Sequence, residues 1–77
     1  MESVNFIYGR TNNPWNINKT TGGSSGGDGG LIAASCCPLA IGSDIGGSVR
    51  IPAAFCGVCS IKPSQERVTR AGMGNRP

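Results

Sequence analysis

The residues of this sequence best suited to chemistry are serines held in two glycine-rich turns. Gly22-Gly23-Ser24-Ser25-Gly26-Gly27 presents a pair of hydroxyls, and Gly46-Gly47-Ser48 presents a third, with an apolar run between the two turns. Glycine tolerates positive φ and close backbone approach, so such turns can aim several N–H groups at one point. A hydroxyl beside converging N–H donors is what acyl transfer requires. Each preorganised donor stabilises the developing oxyanion by ~3 kcal/mol. The competing reading is a flexible Gly/Ser linker. It weakens downstream, where Asp28 suits the first turn of a helix and Leu31-Ile32-Ala33-Ala34 continues as a helical run.

The familiar serine and phosphate motifs do not account for these turns. Gly23 to Gly27 matches the GxSxG pattern of a nucleophile elbow, but that mechanism takes its base from histidine, and these 77 residues contain none, so the elbow reading stands only with a histidine from outside them. The elbow also needs a strand leading into the serine, and Asn18-Lys19-Thr20-Thr21 is a poor one. A phosphate-binding GxxxxGK[ST] loop is excluded because no lysine follows the glycines. SxxK is absent too, since Asn16 and Cys59 stand three residues before Lys19 and Lys62.

Four cysteines offer a second chemistry. Cys56-Gly57-Val58-Cys59 has the CxxC spacing of redox and zinc half-sites. Adjacent Cys36 and Cys37 make a poor second half, because zinc sites separate paired ligands by two or more residues. All four lie in apolar sequence, where a free cysteine packs as a small hydrophobe. They are expected to be buried thiols of a reducing, intracellular compartment. No metal or organic cofactor is expected.

These groups must be positioned by very little chain. Its 77 residues make at most one small domain, and chains of ~60 residues bury only a marginal core. Thirteen glycines, five prolines and four aromatic residues indicate part of a larger domain. Three segments are expected: an irregular lead-in over 1–21, a core over 22–63 and a polar tail over 64–77. In the lead-in, alternation of Val4, Phe6 and Tyr8 suggests a short strand, Asn12-Asn13-Pro14 marks a turn, and Trp15 is expected to anchor on a surface outside this chain. In the core, the helix after Gly27 should stop at Pro38. Leu39–Ile41 reads as a buried strand, Ser43–Arg50 as a tight loop, Ile51–Phe55 as a single helical turn and Val58–Ile61 as another strand ended by Pro63.

The excess of seven Lys or Arg over four Asp or Glu is mild. Lys62, Arg67, Arg70 and Arg76 gather near the end without a stacking aromatic. They read as a solvated tail and not as a nucleic-acid surface. Residues 1–20 hold no apolar stretch of secretion-signal length, and no run approaches the ~20 apolar residues of a membrane span.

GGSSGG, an apolar helix, then G-S-D-I-G-G-S-V-R-I-P-A-A-F-C-G and K-P form a long ordered pattern over residues 9–73. It resembles the amidase signature family. The resemblance implies an α/β core with a mixed central sheet, present here as a fragment. It implies a Ser–cis-Ser–Lys triad and no cofactor. Ser48 matches the acyl nucleophile, and Ser24 matches the bridging serine that follows a cis peptide bond. The N–H groups of Ile45, Gly46, Gly47 and Ser48 match the oxyanion hole. Ser25 matches a supporting hydroxyl. Asp44 and Arg50, flanking the nucleophile, are read as a buried charge pair that pins the turn.

The pattern departs from the family in its base. The family lysine lies far upstream of GGSSGG, whereas 21 residues precede Gly22 here. Lys19 is too close to be that lysine, and Lys62 matches a structural K-P lysine. The chain alone is therefore expected to be inactive. Asp28, Asn13-Pro14-Trp15 and Phe55–Cys59 fit the fatty-acid amide hydrolase branch better than the branch of the glutaminyl-tRNA amidotransferases. The expected partner of the parent protein is a small-molecule amide, with no nucleic acid. Membrane association would come through parts outside this chain, and the pattern leaves oligomeric state open. Two alternatives stand beside this reading: a truncated, non-catalytic protein that binds a partner, and a CxxC metal or redox module.

Overall fold

A computed structural model describes residues 1–74; of the basic tail residues, Arg76 lies outside that range. The element order is β1 (Val4–Asn5), β2 (Gly9–Arg10), β3 (Asn12–Asn13), β4 (Asn16–Thr20), α1 (Gly26–Ala33) and α2 (Arg50–Cys56). β1 pairs antiparallel with β2, and β3 with β4.

Asparagine side chains close both hairpins. Asn5 Oδ1 accepts the Ile7 and Tyr8 N–H groups at 3.0 and 2.8 Å. This Asx turn puts Phe6–Tyr8 at an exposed hairpin tip, so the alternation that suggested a strand is folded into a turn. Asn13 Oδ1 accepts the Trp15 N–H at 3.0 Å, with Pro14 holding the turn. β4 then runs directly to the first glycine turn. The poor propensity of Asn18–Thr20 is thus overridden by the pairing of β4 with β3.

α1 begins after Ser25 and ends well before Pro38. Ser35 takes φ 58, and the N–H groups of Ser35 and Cys36 return to Ile32 O and Leu31 O at 2.9 and 2.8 Å. This is a Schellman termination with serine at the left-handed position, so backbone bonding and not the proline stops the helix. α2 is longer than the single turn expected. Pro52 falls in its first turn, where no intrahelical N–H is required, and the Val58 N–H closes its end on Ala53 O at 3.0 Å.

The two helices meet at Gly29. A methyl group there would lie 3.0 Å from Pro52 Cβ, tighter than ordinary packing, so glycine allows this approach without Pro52 having to give way. The core beneath is small: Ala53, Cys56, Pro52 and Thr21 are buried. Asn13 Nδ2 donates to Phe55 O at 2.9 Å, and Trp15 Nε1 donates to Cys56 O at 2.7 Å. Trp15 therefore anchors on α2 through its indole N–H, within this chain, while most of its ring stays exposed.

Leu39–Ile41 and Val58–Ile61 are not strands. Both runs are without sheet partners among the described residues, and no mixed central sheet forms there. Leu39, Ile41 and Ile61 are 77, 85 and 86% exposed. Fully burying such a side chain is worth ~1.5–3 kcal/mol, and the short hairpins of this chain offer no face that could cover them. The cysteine expectation also changes. Only Cys56 is buried; Cys37 is half-buried, and Cys36 and Cys59 are exposed.

Candidate active site

The two glycine-serine turns are brought together by a backbone bond. The Ser25 N–H donates to Ser48 O at 3.0 Å, and the Gly23–Ser24 peptide is cis. Ser24 is exposed, while Ser25 and Ser48 are half-buried. Among the described residues, no hydrogen bond joins the Ser24 and Ser48 hydroxyls, and neither Lys19 nor Lys62 hydrogen-bonds to them.

The first turn is held from far away in sequence. Ser3 Oγ accepts the Gly26 N–H at 2.9 Å and lies 3.1 Å from both Gly22 O and Ser24 O, to either of which it can donate. It satisfies an orphan N–H at the start of α1, as a helix cap does, although Ser25 occupies the cap position without a side-chain bond of its own. Thr21, fully buried behind the turn, directs its hydroxyl toward Gly22 O and Thr11 O at 3.3 and 3.5 Å.

The second turn is held by Asp44. One carboxylate oxygen accepts the Gly47 N–H at 2.7 Å and Arg50 Nη2 at 3.0 Å; the other accepts the N–H groups of Val49 and Arg50 at 3.1 and 3.2 Å and Arg50 Nε at 3.1 Å. The guanidinium fork is bidentate, the strong geometry for such a pair. Arg50, helped by the three backbone N–H groups, holds the Asp44 carboxyl well below the usual carboxylate range, against an opposing effect of burial. The Asp44 carboxylate pushes the Arg50 guanidinium up in return. The pair is buried at one end only: the Asp44 side chain is 4% exposed and that of Arg50 54%.

The Asp44 bonds sort the four expected oxyanion donors. The Gly47 N–H is committed to the carboxylate. Those of Ile45, Gly46 and Ser48 have no protein acceptor among the described residues. Gly47 holds φ 119, a backbone state reserved for glycine. Ser48 Oγ donates to Met1 Sδ at 3.4 Å, which brings the first residue of the chain against the expected nucleophile.

Sequence reasoning found the two turns and the Asp44–Arg50 pair and missed Ser3, Thr21 and Met1. No local pattern marks these three, because each acts across 19 or more positions or through burial. The CxxC does not assemble a metal site: Cys56 is buried and Cys59 exposed, and no three metal-ligating side chains cluster among the described residues. Nor is any helix among those residues long and apolar enough to cross a membrane.

Comparison with known proteins agrees with the pattern of motifs. The family profile described as Amidase matches residues 1–77. The chain is 55% identical over 69 residues to pig (Sus scrofa) fatty-acid amide hydrolase 1, covering 90% of this chain and 12% of that protein. It is 55% identical over 67 residues to the A-type chain of glutamyl-tRNA(Gln) amidotransferase from Prochlorococcus marinus (strain AS9601), covering 87% and 14%. It is 52% identical over 69 residues to the vitamin D3 hydroxylase-associated protein of chicken (Gallus gallus), covering 90% and 15%. No solved structure gives a significant match. The chain spans about an eighth of the length of the relatives it matches, and with its glycine-serine turns joined by the Ser25–Ser48 bond it belongs to the amidase family.

Proposed function

We propose that this chain carries the acyl-transfer half of a serine amidase site. Ser48 Oγ attacks the amide carbonyl to form an acyl-enzyme. Its proton passes through the Ser24 hydroxyl to a lysine supplied from outside these residues. The N–H groups of Ile45, Gly46 and Ser48 face the developing oxyanion, and Gly47 contributes conformation while its N–H stays on Asp44. Ser25 couples the turns through its backbone. Asp44 and Arg50 set the loop and touch no reacting atom. The amine leaves with the relayed proton, and water completes hydrolysis by the reverse route. The observation that carries this reading is the Ser25 N–H to Ser48 O bond, which holds the two hydroxyl-bearing turns at one locus.

The substrate class proposed for the parent protein is a small-molecule amide, and specifically a fatty-acid amide. Asp28 directly after GGSSGG, Asn13-Pro14-Trp15 and the cysteines of Phe55–Cys59 support that branch. The equal identities to the hydrolase and the amidotransferase chain do not separate the two. Membrane association, where it occurs, is assigned to segments other than these.

An activity probe tests the assignment. The 77-residue chain should not react with a fluorophosphonate, for lack of a base. Joined to the upstream lysine-bearing segment of a relative, it should be labelled, and Ser48→Ala should abolish labelling, since loss of a serine nucleophile costs on the order of 10⁶ in turnover. Ser24→Ala should slow it by roughly 10²–10⁴, the range of a general acid–base contribution. Labelling that survives Ser48→Ala would remove Ser48 from the role.

A further inference from the structure

The chain holds two pairs of neighbouring cysteines, and the structure reverses their apparent importance. The CxxC pair has the recognisable spacing, yet Cys56 is 0% exposed. Its Sγ lies 3.9 Å from Thr21 O, and burial pushes its thiol up. Cys59 lies beyond α2 on the surface, so this pair does not offer two sulfurs to one external atom. Cys36 and Cys37 follow the Schellman end of α1. Both are free, Cys36 exposed and Cys37 half-buried. With Ile32, Ser35 and Pro38 they line an open depression of about 400 Å³.

We propose that Cys36 and Cys37 form a binding site for monosubstituted trivalent arsenicals, R–As(OH)₂, with the organic group resting against Ile32 and Pro38. Consecutive Cα atoms stand ~3.8 Å apart, short of the ~4.4–6.8 Å that ordinary disulfides span. A direct bond between the two sulfurs is therefore unfavourable, and a bridging atom relieves the mismatch. Structural zinc needs four ligands, and no third ligand stands near among the described residues. The pair thus suits a soft centre that two thiolates satisfy. Each sulfur attacks arsenic in turn. Two As–S bonds form and two As–O bonds break, and each departing hydroxide takes a cysteine proton to leave as water. Arsenic remains trivalent, and no oxidant is needed.

The test treats the 77-residue chain with phenylarsine oxide in excess glutathione and reads intact mass. It then maps the thiols still open to iodoacetamide. One phenylarsenic per chain is expected, stable to the monothiol and removed by dimercaptopropanol. Cys36 and Cys37 should be protected while Cys59 alkylates. Cys36→Ser and Cys37→Ser should each abolish the monothiol-resistant adduct; Cys59→Ser should retain it. Protection of Cys56 and Cys59 in place of Cys36 and Cys37, or an adduct that survives Cys36→Ser, would overturn the assignment. The alkylation map is read on the unsubstituted chain, so it stands even where a variant misfolds.

Discussion

The two glycine-serine turns look alike in sequence and are built on opposite plans. The Gly22–Gly26 turn is clamped from a distance by Ser3, across 19 to 23 positions, with buried Thr21 backing it from the adjoining residue. The Gly46–Ser48 turn is clamped from within, by five hydrogen bonds to the carboxylate of Asp44, a residue of the same loop. A self-contained loop keeps its shape as long as its own few residues are present. A remotely clamped turn depends on the hairpins that deliver its clamp. The difference suits the two-part site proposed above, in which one turn would hold the donors rigid and the other would bridge to a group elsewhere.

Asp44→Ala is the sharpest way to break this contrast. It strands three backbone N–H groups and the Arg50 fork at once. Amide exchange at Gly47, Val49 and Arg50 should rise to the rates of an unstructured loop, taking with it the Ser25 N–H that bonds to Ser48 O, while Gly26, held by Ser3, keeps most of its protection. Equal loosening of both turns would show that the second is not self-contained. Ser3→Ala should act the other way round. Removing a cap of this kind costs ~1 kcal/mol, so exchange at Gly26 should quicken by roughly fivefold with little change at Val49.

The smallest effect is on pH dependence, and the two turns again differ in kind. The Asp44 carboxyl is held below its ordinary value, so its contribution is complete above the usual carboxylate pKa of about 4. It is lost as pH falls from there toward the depressed folded value. Cys56, beneath the first turn, is raised by burial above 9.0. Its contribution is present below that value and is lost as pH rises from there through the raised folded value. Acid should therefore loosen Val49 before Gly26, and alkali the reverse, as site-resolved exchange across the pH range would read. A common order at both extremes would remove the distinction.

Legibility in the sequence followed the same division. The Asp44 loop was readable because its acceptor, donors and glycines lie within seven residues. Only the share of burial was misjudged: the carboxylate is enclosed and the guanidinium half-open. Ser3 was invisible, since nothing in Met1-Glu2-Ser3 marks a residue that closes a turn 19 or more positions away. Helix and strand readings divided likewise. α1 and α2 are legible in the sequence, but Pro38 is the visible stop signal for α1 whereas Ser35 sets its end through the backbone. Apolar runs alone suggest strands at Leu39–Ile41 and Val58–Ile61. A strand, however, is a property of a pair, and the described residues hold no partner for either. Cysteine spacing misled in the same manner, because spacing records which thiols are near in sequence and not which face solvent.

By itself, then, the sequence determined the family, the two serine turns, the loop that Asp44 organises and the lack of histidine among these 77 residues. These depend on residue type and short spacing. Tertiary structure alone decided that Ser25 ties one turn to the other, that Ser3 and Thr21 hold the first, that Gly47 spends its N–H on Asp44, and that Cys36 and Cys37 are accessible while Cys56 is not. Each of those is fixed by which groups long-range packing removes from water and leaves in need of a partner. That accounting is settled only when the chain closes on itself.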